Sequence, residues 1–126
     1  MRSPPPGLDP AWYAPHVAST LAKFGMSHCV LGMAPEFAPM GIAVNALWPK
    51  TIIATAAIGM IDGVEARRCR RPEIVADAAH AILTRPAKGF TGRFCIDEDI
   101  LREQGVVDFD AYAVQPGEPL LPDLFL

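Results

Sequence analysis

The stretch Val17-Ala18-Ser19-Thr20-Leu21-Ala22-Lys23-Phe24-Gly25 decides how the first third of the chain folds. Its apolar residues recur at the three- and four-residue spacing of an amphipathic helix. Asp9 suits the N-cap of such a helix, Pro10 suits its first position, and Pro15 predicts that the regular helix settles only after residue 15. We therefore expect a helix that continues to about Phe37.

This helix should present a buried face and a polar face. Ser19 and Lys23 are four residues apart, so they lie one turn above each other on the polar face. Upstream of them, Ser3 is followed by three prolines that hold the chain extended. The residues that the spacing predicts to be buried are Val17, Leu21, Phe24, His28 and Leu31.

A loop serine followed by a helix that presents a lysine resembles the catalytic segment of the short-chain dehydrogenase/reductases. That family carries a serine at the end of a strand and then Tyr-x-x-x-Lys on the next helix. Ser3 matches the serine and Lys23 matches the lysine, but Ser19 stands in the position of the tyrosine. The residues at 22–27 and 30–34 resemble the hydroxysteroid-dehydrogenase-like subgroup in particular. The resemblance continues to the last residues and covers the C-terminal half of the family's fold.

The resemblance implies a catalytic set of Ser3, Ser19 and Lys23. In the family the tyrosine exchanges a proton with the substrate oxygen, the lysine lowers the tyrosine pKa and binds the cofactor's ribose, and the serine positions the substrate. A serine hydroxyl is a much weaker acid and is shorter, so Ser19 predicts residual activity at best. Tyr13 is no replacement, because it lies about 15 Å from Lys23 along a helix. Without the resemblance, Ser19 and Lys23 are an ordinary serine and lysine on a helix surface.

The segment Asn45-Ala46-Leu47-Trp48-Pro49-Lys50-Thr51-Ile52 resembles the family's Asn-x-x-x-Pro-Gly segment, whose loop closes over the nicotinamide. The cofactor-binding residues that this implies are Lys23, Pro49, Lys50, Thr51 and Ile52, with main-chain groups of Ile52 holding the carboxamide. Lys50 replaces the usual glycine. The family's threonine would fall at Ala54, so Thr51 or Thr55 would serve instead.

The rest of the sequence predicts an α/β alternation. Two strands leave a parallel sheet incomplete, so the chain is expected to be the C-terminal half of a doubly wound, Rossmann-type sheet with about two strands and three to four helices. The predicted elements after the first helix are a strand at 42–48, a short helix at 51–60, a helix at 73–84, a strand at 91–97, a helical turn at 100–104 and an extended C-terminal arm. In the last strand, Glu98-Asp99 replaces the family's Gly-Gly.

The Gly-rich dinucleotide turn of this fold is missing from the sequence. The glycines of the first part of the chain follow no strand in the required arrangement. We therefore expect residues 1–126 to be a partial short-chain dehydrogenase domain that lacks the N-terminal dinucleotide-binding half. NAD or NADP is implied as the cofactor by the resemblance alone.

Composition excludes several other classes of protein. The 126 residues are 51% hydrophobic and 20% charged, with a net charge of −3, which argues against disorder and against a nucleic-acid surface. No apolar run approaches the ~18 residues of a membrane span, and no signal peptide is evident, so a cytoplasmic location is expected. The three cysteines suit free thiols, and no metal site is predicted, since the histidines and cysteines lack ligand spacing.

Two functions remain open from the sequence. The first is an NAD(P)-dependent oxidoreductase that interconverts an alcohol and a carbonyl on a small apolar substrate, truncated and impaired at Ser19. The second is a non-catalytic relative that acts as an oligomerisation or interaction partner. A homo-oligomer or a separate N-terminal half is the expected protein partner. The arginines at 67–71 would attract a phosphate or an acyl-coenzyme tail, or else form a solvated helix face.

Overall fold

The computed structural model describes residues 10–14 and 16–123 of the chain. Its helices are α1 (Pro10–Tyr13), α2 (Val17–Phe37), α3 (Glu73–Leu83) and α4 (Asp97–Glu103), and its strands are β1 (Ala46–Trp48) and β2 (Phe94–Ile96). The predicted α/β class, with two strands and three to four helices, is confirmed. Short 3-10 turns connect these elements at Ala38–Met40, Ala56–Met60, Ala66–Arg68 and Asp110–Tyr112.

The chain divides into two compact units, which are described separately. Unit 1 comprises Met1–Ala46 and Arg85–Cys95, and unit 2 comprises Leu47–Thr84 and Ile96–Leu126. Each unit is therefore built from two pieces of sequence. The long helix α2 belongs to the first, and the helices α3 and α4 belong to the second.

Helix α2 is one unbroken helix of 21 residues that begins at Val17 and includes Pro35. The proline therefore does not end the helix, which continues to Phe37 and then tightens into a 3-10 turn. Gly41 closes this turn in the left-handed region with φ 75°, and its N–H donates to the carbonyl of Ala38 at 3.0 Å. Pro15 itself lies outside the described residues.

The buried face of α2 differs from the prediction. Of the five residues expected inside, only Phe24 is buried, while His28 is exposed and Val17, Leu21 and Leu31 are 52–59% exposed. The prediction was wrong because three of the five buried side chains are polar or small, namely Thr20, Ser27 and Ala34. The buried face consists of Thr20, Phe24, Ser27, Val30 and Ala34.

The strands β1 and β2 form a two-stranded sheet. The carbonyl of Val44 accepts the N–H of Gly92, and the N–H of Ala46 donates to the carbonyl of Arg93. The two segments therefore run in the same direction. Both strands are shorter than predicted. The backbone favours glycine at position 92, because its φ is +69°.

The core of unit 2 lies where α3 packs against α4. Ile74 and Ala78 of α3 are fully buried, and Ile100 and Leu101 of α4 are 4% exposed. The prediction of α3 over 73–84 is confirmed to within one residue. The helical turn expected at 100–104 is a longer helix that begins at Asp97, where three acidic residues face the positive end of the helix dipole.

The C-terminal arm is extended as predicted, and main-chain bonds hold it in unit 2. The N–H of Ile52 donates to the carbonyl of Leu121, and the N–H of Asp123 donates to the carbonyl of Lys50. Leu121 also donates to the carbonyl of Arg68. The arm therefore borders the segment that follows β1.

Cys29, Cys69 and Cys95 are free, in agreement with the expected thiols. Burial raises the pKa of Cys69, although the nearby positive charge of Arg68 opposes the rise. Within the described part of the chain, no helix is long and apolar enough to span a bilayer.

Candidate functional site

Ser19 and Lys23 lie one turn apart on α2, and both side chains are exposed. Thr20, between them in sequence, is fully buried, which fixes the rotation of the helix. The helix therefore brings together two of the three predicted catalytic residues on its accessible side. Ser3, the third, lies outside the described residues.

Tyr13 does not take the place of the missing phenol. Its half-buried ring packs on Phe24, with 6.0 Å between the ring centroids. Because Phe24 belongs to the buried face of α2, this contact commits Tyr13 to packing. The side chain at the position of the family's tyrosine is therefore the hydroxyl of Ser19.

Asn45 ties the start of β1 to the segment that leads into β2. Its side-chain amide donates to the carbonyl of Phe90 at 3.0 Å, and its Oδ1 accepts the N–H of Arg93 at 3.0 Å. Alongside, the N–H of Val44 donates to Thr91 Oγ1 at 3.0 Å. Asn45 therefore has a clear structural role in unit 1.

The predicted cofactor-binding residues 49–52 form a loop after β1, called here the β1 loop. The N–H of Lys50 donates to Asp97 Oδ1 at 2.9 Å. Both main-chain groups of Ile52 are engaged, since its N–H donates to Leu121 at 3.0 Å and its carbonyl accepts from Arg70 at 3.0 Å. The loop is therefore held on both sides within unit 2.

The β1 loop fits a nicotinamide carboxamide in part. Thr51 Oγ1 is buried and has no hydrogen-bond partner among the described residues, so it has capacity for a polar ligand. The N–H of Ile52 has no such capacity, because its single hydrogen already bonds to Leu121. The Ile52 carbonyl keeps a second lone pair. Thr51 is thus the better-suited residue of the two.

Sequence reasoning missed a cluster of charges around Glu98, whose side chain is only 6% exposed. Lys50 Nζ lies 2.8 Å from Glu98 Oε1, Arg102 Nη2 lies 2.9 Å from the same oxygen, and Arg70 Nη1 lies 2.6 Å from Oε2. Phe109 stacks beneath two of these cations, with Arg102 at 4.5 Å and Arg70 at 5.4 Å from its ring centroid. We call these four charged residues the Glu98 cluster.

The cluster changes the acidity of its carboxyls. Burial raises the pKa of Glu98, but hydrogen bonds from Lys50, Arg70 and Arg102 outweigh it and lower the pKa to about 2. The neighbouring Asp97 is fully buried, and burial raises its pKa although it accepts the N–H groups of Lys50 and Glu98. Glu98 is therefore the more acidic carboxyl of this pair.

The arginines at 67–71 do not form a solvated helix face, because Arg67 and Arg68 lie in a short 3-10 turn, the other two arginines follow it, and Arg70 is 5% exposed. Arg67 is exposed and pairs with Glu65 at 2.6 Å, and Arg68 donates to the carbonyl of Pro119. The run of arginines in the sequence gave no sign of this division. The replacements of the usual glycine by Lys50 and of Gly-Gly by Glu98-Asp99 were the signals in the sequence that pointed to the cluster.

Curated relatives match almost the whole chain. Hydroxysteroid dehydrogenase-like protein 2 of Danio rerio is 61% identical over 125 residues, which is 98% of this chain and 30% of that protein. The protein of the same name from Homo sapiens is 56% identical over 126 residues, or 29% of its length. The chain thus spans about three tenths of these two relatives. No family model matches the sequence.

Solved structures share the fold. A putative dehydrogenase from Xanthomonas campestris has a TM-score of 0.91 and 59% identity, covering 99% of this chain and 46% of that one. A short-chain dehydrogenase from Mycobacterium thermoresistibile has a TM-score of 0.82 and 45% identity, covering 98% of this chain and 44% of that one. Sequence and fold agree: this chain resembles the short-chain dehydrogenase/reductases over nearly its whole length, as the C-terminal half of their fold, and among them the hydroxysteroid-dehydrogenase-like subgroup.

Proposed function

We propose that this chain is the substrate-side half of an NAD(P)-dependent oxidoreductase that interconverts an alcohol and a carbonyl on a small apolar substrate, with its proton transfer impaired at Ser19. The observation that carries the proposal is the exposed pair Ser19 and Lys23 on α2, in the positions of the family's Tyr and Lys. Its similarity to dehydrogenases over nearly its whole length supports the proposal.

The residues of α2 would handle the proton. A phenol has a pKa near ~10, and a neighbouring ammonium such as that of Lys23 would lower it toward neutrality. An aliphatic hydroxyl is a far weaker acid, and the serine side chain ends well short of a phenolic oxygen. Loss of one general acid–base group typically costs ~10²–10⁴ in rate, so weak residual turnover is expected.

The β1 loop would hold the nicotinamide. The cofactor supplies hydride exchange when bound. The buried hydroxyl of Thr51 and the free lone pair of the Ile52 carbonyl are the groups suited to its carboxamide, whereas Pro49 and Lys50 would frame them. NAD and NADP are both compatible with this arrangement.

Restoring the phenol tests the proposal. The chain would be joined to the N-terminal part of the Xanthomonas campestris dehydrogenase, and NADH- and NADPH-dependent turnover would be measured for wild type, Ser19→Tyr and Ser19→Phe. We expect Ser19→Tyr to raise the rate by at least about 100-fold and Ser19→Phe to leave it near the wild-type level, since only tyrosine places a sufficiently acidic hydroxyl at the substrate oxygen. Equal rates for all three proteins would show that the side chain at position 19 takes no part in proton transfer.

We infer a second candidate function, that of a non-catalytic oligomerisation partner, from the exposed apolar residues of α2. Val17, Leu21 and Leu31 each expose more than half of their surface on a helix of 21 residues. Exposed apolar clusters of this kind mark interaction surfaces. Sedimentation of the chain at several concentrations tests this function, and a single 13.6 kDa species throughout would contradict it.

A further inference from the structure

We propose that Lys50 and Glu98 act together as a positioning pair that fixes the β1 loop. Its consequence for nicotinamide binding rests on the proposed function above. Each of the two residues stands at a position where the family resemblance leads us to expect glycine. The structure brings these two departures into one contact, with Lys50 Nζ 2.8 Å from Glu98 Oε1.

The contact joins segments that are 48 residues apart, and no glycine pair could make it. The main chain supports the same attachment, because the Lys50 N–H donates to Asp97 Oδ1 at 2.9 Å. Residue 50 is therefore bound to residues 97 and 98 through both its backbone and its side chain. A glycine at position 50 would keep the first link and lose the second.

Glu98 in turn connects the loop to a second support. Arg70 Nη1 lies 2.6 Å from Glu98 Oε2, and the Arg70 N–H donates to the Ile52 carbonyl at 3.0 Å. Contacts therefore lead from Lys50 to Glu98, from Glu98 to Arg70 and from Arg70 to Ile52. Together with the main chain of residues 50–52, they form a closed ring that contains Thr51. This ring determines where the buried Thr51 hydroxyl lies, so a change in the Lys50–Glu98 contact should move the loop.

Amide hydrogen exchange tests the pair in the chain itself. We expect Lys50→Met to raise the exchange rates of the Ile52 and Asp123 amides about three-fold, as the loss of a half-exposed ion pair predicts. In a Glu98→Gln background, Lys50→Met should add no further increase. Lys88→Met and Glu36→Gln, which alter exposed charges elsewhere, are the matched controls and should leave these rates unchanged.

Two results would overturn the proposal. The first is unchanged amide exchange in Lys50→Met, and the second is an effect of Lys50→Met that persists in the Glu98→Gln background. If Glu98→Gln does not fold, NMR of the wild-type chain decides instead. A scalar coupling across the hydrogen bond from Lys50 Nζ to the Glu98 carboxyl carbon is expected, and its absence would count against the pair.

Dinucleotide affinity separates positioning from general stability. By fluorescence titration with NADH and NADPH, Lys50→Met should bind about three-fold more weakly while its urea unfolding midpoint shifts only slightly, as for the loss of one half-exposed ion pair, and Lys50→Arg should restore the affinity. Unchanged affinity in Lys50→Met, beside measurable wild-type binding, would contradict a role at the cofactor site. If the wild-type chain binds neither dinucleotide, the titration is repeated with the fusion described above, whose failure to bind would count against the proposed function, whereas the exchange experiment still decides the pair.

Discussion

At the scale of single residues, Glu98 makes a pH-dependent contribution to stability. Its pKa is about 2 in the folded chain against 4.5 for an ordinary glutamate, so its stabilising contribution is complete above pH 4.5 and is lost as the pH falls toward 2. We expect Glu98→Gln to lower the free energy of unfolding at pH 7 by on the order of 3 kcal/mol, with the gap from wild type closing between pH 4.5 and 2. Urea unfolding at several pH values measures this, with Glu36→Gln as the control. A gap that does not depend on pH would contradict it.

The same residue shows how far the sequence predicts the site. Lys50 and Glu98 each stood out as departures from the family's pattern, so their positions could be recognised as unusual. Their contact could not be predicted, because it spans 48 residues and depends on the pairing of β1 with β2. The burial of Arg70 was hidden for a similar reason, since nothing local separates it from its exposed neighbours Arg67 and Arg71.

At the scale of elements, α3 is the helix on which unit 2 is built. Ile74 is fully buried where α3 packs against α4, whereas Leu83 at the end of the same helix is 82% exposed. Ile74→Ala should therefore lower the free energy of unfolding by about 2–5 kcal/mol, and Leu83→Ala by less than about 0.5 kcal/mol. Chemical unfolding of both variants measures the difference. Similar losses in the two would mean that the α3–α4 contact contributes little.

The two longest helices differ in how well apolar periodicity describes them. In α3 the buried positions Ile74, Ala78 and Ala81 follow the helical period of apolar residues, so periodicity identifies the bounds of this helix. In α2 the buried positions include Thr20 and Ser27, which a search for apolar periodicity passes over. Its large apolar residues Val17, Leu21 and Leu31 are instead more than half exposed.

At the scale of the whole molecule, the order of elements was predictable and the extent of each strand was not. Alternating helices and short apolar runs indicated half of a doubly wound sheet, and the structures from Xanthomonas campestris and Mycobacterium thermoresistibile, of which this chain covers 46% and 44%, agree with that. The apolar pattern predicted a strand that includes residues 42–45, but these residues lie outside β1, because a two-stranded sheet offers few pairing partners. The C-terminal arm is bound to Lys50 and Ile52 by main-chain hydrogen bonds, and its proline-rich sequence did not predict these bonds.

The exposed apolar side of α2 leads to a prediction about the assembled chain. If this helix associates with a second copy, a charge there should oppose association, because burying an unpaired carboxylate is costly. Leu21→Glu combined with Leu31→Glu should shift the sedimentation coefficient toward that of a 13.6 kDa monomer, whereas Val107→Glu, at an 86% exposed apolar residue of unit 2, should not. If both variants dissociate equally, or neither does, then α2 is not the contact and the oligomerisation function loses its structural basis. If only the α2 variant dissociates, contact with a second copy explains why Leu21 and Leu31, which the apolar spacing predicted to be buried, are exposed in the single chain.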